Sequence, residues 1–251
     1  SRRPSDEPEF EFRQTLGNYG ANITEAALSG PLSDAVRLRV AGSLNRHDGY
    51  IRNDAGADQA QADVRFYEAQ LEVDLSEDLD VWVRYYGSVA DSTPTTGIQI
   101  DPYETATYFG SSSLLPSPTF GYAGSNPAAS DPFTVSHDYD GRYRLDNQHA
   151  VTAAVTYDFD SVRVRYTGGW QTYDFFQDSD FDRSSRGSYP AFGIGPVVES
   201  GRIETIIEEK EFSSHELNLS STGPGPLQWI TGLYYYEENT EQSYDIASPN
   251  Q

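Results

Sequence analysis

Hydrophobic and polar residues alternate along much of this chain with a period of two. In residues 150–159, Val151, Ala153, Val155, Tyr157 and Phe159 fall on one side, and Thr152, Ala154, Thr156 and Asp158 on the other. Side chains of a strand point alternately to opposite faces, so the pattern predicts a strand with one apolar and one polar face. Residues 162–173 repeat it, with Val162, Val164, Tyr166 and Trp170 against Arg163, Arg165, Thr167 and Gln171. So do 36–45 (Val36, Leu38, Val40 and Leu44 against Arg37, Arg39, Ser43 and Asn45) and 67–75 (Tyr67, Ala69, Leu71 and Val73 against Glu68, Gln70, Glu72 and Asp74). In 81–89, Val81, Val83, Tyr85 and Val89 oppose Trp82, Arg84, Tyr86 and Ser88. Weaker versions occur at 9–19, 21–29, 212–220 and 227–237, and no segment has a convincing helical period. The predicted strands are 9–19, 21–29, 35–46, 64–75, 80–90, 147–158, 161–175, 211–221 and 227–240.

The connections are of two kinds. Gly30-Pro31-Leu32-Ser33-Asp34, Ser76-Glu77-Asp78-Leu79-Asp80, Asp158-Phe159-Asp160-Ser161 and Thr222-Gly223-Pro224-Gly225-Pro226 are short and rich in turn formers. Those between them, near 46–63, 90–146 and 174–210, are long and full of Gly, Ser, Pro and Asp; the connection near Gly17–Gly20 is the short exception. Compact soluble domains usually join elements with about 4–6 residues. Short turns on one side and long loops on the other are the habit of outer-membrane barrels. The predicted fold is therefore all-β, an antiparallel transmembrane β-barrel segment of about nine strands with short periplasmic turns and long extracellular loops.

The polar faces pair across the turns. A hairpin centred on Glu77/Asp78 sets Glu72 opposite Arg84, and one centred on Asp160 sets Asp158 opposite Arg163. Each such cross-strand pair adds about 0.2–1 kcal/mol, and ladders of this kind suit a barrel lumen, although a solvated sheet also accommodates them. Aromatics cluster at two levels. Tyr157, Phe159 and Trp229 sit near the short turns, and Tyr85, Trp170, Tyr173 and Tyr234–Tyr236 towards the long loops. Two girdles about 25 Å apart are expected where a barrel meets the membrane interfaces; among these, Tyr85, Tyr157, Phe159, Trp170, Trp229 and Tyr235 are the interface candidates.

Composition narrows the field. The chain has 251 residues, 39 acidic against 17 basic, and a net charge of −22, which argues against nucleic acid as a partner. It has no cysteine, hence no disulfide framework or thiolate metal site, and no run of apolar residues long enough for a membrane helix. It also lacks methionine and ends at Gln251, in what would be the next outer loop. Nine strands with open edges cannot close, and unpaired backbone in hydrocarbon costs several kcal/mol per group. The expectation is a processed or excised piece of a larger barrel, with outer-membrane lipid and the missing strands as its surroundings.

At this point the residues resemble a known family. Ser1-Arg2-Arg3-Pro4-Ser5 is similar to the end of the plug domain of TonB-dependent receptors, where a basic Arg-Pro segment passes into the barrel. Gly17-Asn18-Tyr19-Gly20 resembles their short first hairpin loop. Leu28–Asp34, Val36–Ser43 and Asp48-Gly49-Tyr50-Ile51 resemble their second and third strands, and Leu227–Tyr235 their recurring W-x-x-G-x-Y strand. The resemblance implies that residues 1–8 end the plug and 9–251 begin a barrel of 22 strands. It further implies an outer-membrane active-transport receptor of a Gram-negative bacterium, driven by the TonB complex through a plug absent from this chain. Its cargo would be a ferric siderophore, or else haem, cobalamin or a glycan. A soluble secreted all-β binding or adhesive domain, and a passive porin, remain alternatives.

Candidate sites follow from the loops. Tyr103, Tyr108, Phe109, Phe120 and Tyr122 in one long loop, and Phe175, Phe176 and Phe181 in another, are the aromatic candidates for holding a small-molecule ligand. His47, His137, His149 and His215 lack metal-ligand spacing and read as surface or lumen residues. Asp178-Ser179-Asp180-Phe181-Asp182 begins like a calcium loop, but Arg183 replaces the glycine and Tyr189 the glutamate that such loops require. The sequons at Asn22 and Asn218 fall in predicted strands. No nucleophile elbow, phosphate loop or zinc-protease helix is present, so neither catalysis nor a cofactor is expected.

Overall fold

The computed structural model describes residues 2–93, 131, 133–135, 137, 139–180, 189–190, 197–198 and 203–247. Its strands are β1 (Glu9–Leu16), β2 (Asn22–Ser33), β3 (Val36–His47), β4 (Arg52–Asn53), β5 (Ala62–Ser76), β6 (Leu79–Ser92), β7 (Thr134–Val135), β8 (Arg142–Asp158), β9 (Val162–Asp180), β10 (Tyr189–Pro190), β11 (Val197–Val198), β12 (Ile203–Ser221) and β13 (Ile230–Ala247). Nine of them form one antiparallel sheet in the order β1-β2-β3-β5-β6-β8-β9-β12-β13. Every neighbour in that order is also the next long strand in sequence, so the sheet is a meander. It does not close: β1 and β13 end it on opposite sides.

The alternation becomes two continuous layers. Leu28, Val40, Ala69, Tyr85, Val151 and Trp170 are successive register partners across β2 to β9. One position along, Ser29, Arg39, Gln70, Arg84, Thr152 and Gly169 form the neighbouring row. The first row is open, with Val40, Tyr85, Val151 and Trp170 between 37% and 39% exposed. The second is covered: Ser29, Arg39 and Gln70 are 4%, 9% and 1% exposed. This is the reverse of a soluble protein, where large apolar side chains are the buried ones. Among the described residues no second sheet lies against the apolar face. Contiguous exposed apolar patches beyond a few hundred Å² are rare on soluble monomers, so this face is built for contact with something apolar.

Three irregularities set the register. Bulges lie between Pro31 and Ser33, between Asp74 and Ser76, and at Asn147–Gln148, where Ser88 pairs Gln148 and Ala90 pairs Leu145. Asn147 carries a φ of 49°, a left-handed conformation that asparagine tolerates better than most residues. Below this bulge the odd residues of β8 (His149, Val151) share the apolar face; above it the even ones (Arg144, Asp146) do. The long strands outrun their predicted limits for related reasons. β8 starts at Arg142 rather than 147, and β9 reaches Asp180 rather than 175. β12 starts at Ile203 rather than 211, and β13 reaches Ala247. Much of what reads as polar loop is thus strand rising beyond the apolar band.

Gly87 is required by the packing of the apolar face. A Cβ there would collide with the Tyr67 hydroxyl and meet the Gln148 carbonyl oxygen at 2.8 Å, because the Tyr67 ring lies over the bare backbone. Gly169 has nothing nearer than Ser214 Oγ at 3.5 Å. Gly87→Ala is expected to lower stability by about 1–3 kcal/mol, whereas Gly169→Ala changes it by no more than about 0.5 kcal/mol. Denaturant midpoints of the two variants check this.

Candidate functional site

The polar face has a charged floor near the short turns; at its mouth, nearer the long connections, it is uncharged from β5 to β9, while β12 carries Glu204, Glu208 and Lys210 there. The floor is organised by Glu68 and Gln70 of β5. Arg84 Nε donates to Glu68 Oε2 at 2.6 Å, Gln70 Nε2 donates to Glu68 Oε1 at 2.7 Å, and Trp82 Nε1 donates to Gln70 Oε1 at 3.0 Å. The Glu68 side chain is only 5% exposed. The N-terminal segment lies across this floor with Pro4 buried. Gln70 Nε2 donates to the Arg2 carbonyl oxygen, Ser5 bonds Ser29, and Arg3 reaches Glu72 at 3.0 Å while its guanidinium sits 4.9 Å from the Trp82 ring centre. Arg37 joins Asp6 to Asp74 through bonds of 2.9 and 2.7 Å.

The expected Glu72–Arg84 pair is therefore corrected. Leu75 bulges at the β5–β6 turn, which moves the hairpin centre so that Glu72 faces Trp82 and Arg84 faces Gln70. The slip is by two positions, so both side chains keep the polar face and change only partners. Asp158 and Arg163 are register partners, joined by two bonds of 2.6 and 2.7 Å.

On the opposite, apolar face, Tyr157 and Phe159 meet edge to face at 4.5 Å beside a short turn, with Trp229 beside the β12–β13 turn. Higher up, Tyr85 bonds His149 Nδ1 at 2.9 Å and stacks on it, Tyr166 bonds His215 Nδ1 at 2.7 Å, and His215 stacks on Tyr235. The Trp170 indole N–H donates to Glu211 at 3.0 Å.

The long connections are knitted together where they leave the sheet. β4 pairs in parallel with β7, uniting segments more than eighty residues apart in sequence. Ile51, Ala60 and Val135 form a small apolar cluster beneath them. Asn53 closes the junction: its Nδ2 donates to the His137 carbonyl oxygen and its Oδ1 accepts from the His137 N–H, both at 2.9 Å. Tyr139 donates to Asp178 at 2.7 Å; burial first, then that bond and the carboxylate charge, pushes its hydroxyl up to about 12. Under this junction opens a concave pocket of about 430 Å³, lined among others by His47, Tyr50, Gln61, Thr93, Tyr143 and Gln177.

Of the aromatic ligand candidates, Tyr103, Tyr108, Phe109, Phe120, Tyr122 and Phe181 lie outside the described residues. Phe175 and Phe176 stand in β9 rather than in a loop, on opposite faces. Phe175 packs edge to face on Tyr143 at 5.3 Å on the polar side, and Phe176 lies under the Arg144 guanidinium on the other. The pocket residues were not legible as a group, because they come from the ends of β3, β6, β8 and β9 and from the connection after Gly49, with no local motif. No group of acidic or histidine side chains suited to a metal occurs among the described residues.

No protein-family model and no curated protein matches the sequence. Solved structures match in shape. The ferric yersiniabactin uptake receptor FyuA from Yersinia pestis superposes with a TM-score of 0.72 over 99% of this chain and 33% of its own, at 13% identity. The siderophore receptor PiuA from Acinetobacter baumannii does so at 0.69, over 99% and 34%, at 16% identity. The outer-membrane ferripyoverdine receptor of Pseudomonas aeruginosa, in a structure bound to ferripyoverdine, does so at 0.64, over 97% and 29%, at 14% identity. The chain thus spans about a third of the length of these receptors. What they share with it is the fold of the antiparallel strands.

The floor gives a direct test. Removing one charge from a covered pair costs about 3–5 kcal/mol, because its partner is left uncompensated. Glu68→Gln is expected to lose that much in equilibrium unfolding. Glu25→Gln, whose pair with Arg13 is open to water, is expected to lose at most about 1 kcal/mol.

Proposed function

We propose that this chain is the first part of the barrel of a TonB-dependent outer-membrane receptor in a Gram-negative bacterium. The whole protein imports a scarce nutrient, a ferric siderophore in the first place. The observation that carries the reading is the inverted amphipathy of a nine-stranded meander whose shape superposes on siderophore receptors. Lipid covers the apolar face, while the polar face lines the lumen and holds residues 2–8 as they pass from the plug into β1. Tyr157, Phe159 and Trp229 mark the periplasmic interface, and Tyr85, Trp170 and Tyr235 the outer one. Asp158–Arg163 and the Glu68, Glu72 and Arg84 network are lumen charges. Cargo enters from the side of the long connections, and energy arrives through TonB acting on the plug.

The full-length protein tests this. It is expected to need detergent for solubility, to migrate differently on gels before and after boiling, and to support growth on a ferric siderophore only when TonB is present. In lipid vesicles, Val83→Arg on the apolar face is expected to cost about 2–4 kcal/mol of stability, and Thr167→Arg on the polar face much less. A freely soluble full-length protein that tolerates Val83→Arg contradicts the reading.

A further inference from the structure

The polar face is not uniformly charged. Between β5 and β9 the last charged residues on it are Glu68, Arg84 and Arg165, counted upward from the short turns. Above them stand Phe66, Tyr86, Ser88, Gln148, Tyr143 and Phe175. Phe66 and Tyr86 lie 6.1 Å apart, and the Tyr86 hydroxyl donates to Gln171 at 2.9 Å. The pocket at the top continues this zone, and none of its eight lining residues is Asp, Glu, Lys or Arg. Arg142 with Asp91, and Arg144 with Asp146, stand on the other face of the sheet; on the polar face of the adjoining β12, Lys210 is paired with Glu238 while Glu204 and Glu208 face Ser179 and Phe175, so the neighbouring charge is net negative.

We propose that this pocket selects an uncharged ferric chelate and discriminates against multiply anionic ones; the inference rests on the import reading above. Rings of Tyr50 and Tyr143 offer flat apolar surface, and the Gln61 and Gln177 amides and the Thr93 hydroxyl offer donors and acceptors without net charge. An anionic cargo taken out of water needs a fixed positive charge to offset its lost hydration. Among the described residues the pocket has no arginine or lysine in its lining, and a chain with a formal charge of −22 adds long-range repulsion. Iron(III) held by three singly charged hydroxamates is neutral and meets neither penalty. Iron(III) held by three doubly charged catecholates carries three negative charges and meets both.

The experiment measures equilibrium binding of these two complexes to the purified full-length receptor by quenching of intrinsic fluorescence at low salt. The neutral trihydroxamate complex is expected to bind tighter than the tricatecholate trianion by about tenfold or more. Tyr143→Ala and Gln177→Ala are each expected to weaken the neutral complex several-fold, and Gln177→Arg to narrow the gap by strengthening the trianion. Tighter binding of the trianion, or neutral binding unmoved by both alanine variants, overturns the pocket assignment and leaves the import reading intact. Failure of both complexes to bind overturns the two together.

Discussion

The structure depends on a single constraint: the backbone hydrogen bonds of the long strands are satisfied within one sheet, while among the described residues no second layer of protein covers the side chains on its outer face. A meander of strands meets the first half directly, because each strand pairs with the ones before and after it. The second half then decides the side chains. Valine, leucine and tyrosine can stay on an uncovered face only where the surroundings are apolar, and within that apolar band charged residues take the other side. Those that are covered there, such as Glu68, each need a partner.

That requirement explains how the polar face is furnished. Glu68, at 5% exposure, is held by Arg84 and Gln70, and Gln70 in turn by Trp82 and the backbone of Arg2. The N-terminal residues therefore complete a network that the strands alone leave unfinished. Towards the long connections, from β5 to β9, the charges give way to tyrosine, phenylalanine and amides, and charge returns only on β12 with Glu204, Glu208 and Lys210. Floor and mouth differ in chemistry though they share the same strands, and only the mouth is free of the N-terminal segment.

The fold was largely legible because a period of two is hard to counterfeit. The alternation at Val151–Phe159 and Tyr67–Val73 assigned the faces correctly, and the breaker-rich turns marked the hairpins. What the pattern hid follows from three physical causes. At Asn147 a bulge flips which residues face outward, so the alternation appears to stop where the strand in fact continues to Arg142. At Leu75 another bulge moves the hairpin centre, which is why Glu72 meets Trp82 instead of Arg84. Above the apolar band both faces mix polar and apolar residues (Phe175 and Phe176, Ile206 and Ile207, fall on opposite sides), so Asp174–Asp180 and Ile203–Lys210 carry no contrast from which a strand could be read. The mouth pocket and the Asn53–His137 junction were invisible for a different reason: they join residues far apart in sequence, and only the register brings them together.

This chain contains no cysteine of its own, so single nitroxide labels on introduced cysteines, with any cysteine elsewhere in the full-length protein replaced, can report what covers each face in lipid vesicles. The account predicts that labels at Val83→Cys, Val151→Cys and Val155→Cys are more accessible to oxygen dissolved in the bilayer than to a water-soluble nickel chelate. Labels at Ser88→Cys and Thr152→Cys should show the reverse. Preferential access of the nickel chelate to the valine positions, or their immobilisation by protein contact, would contradict it.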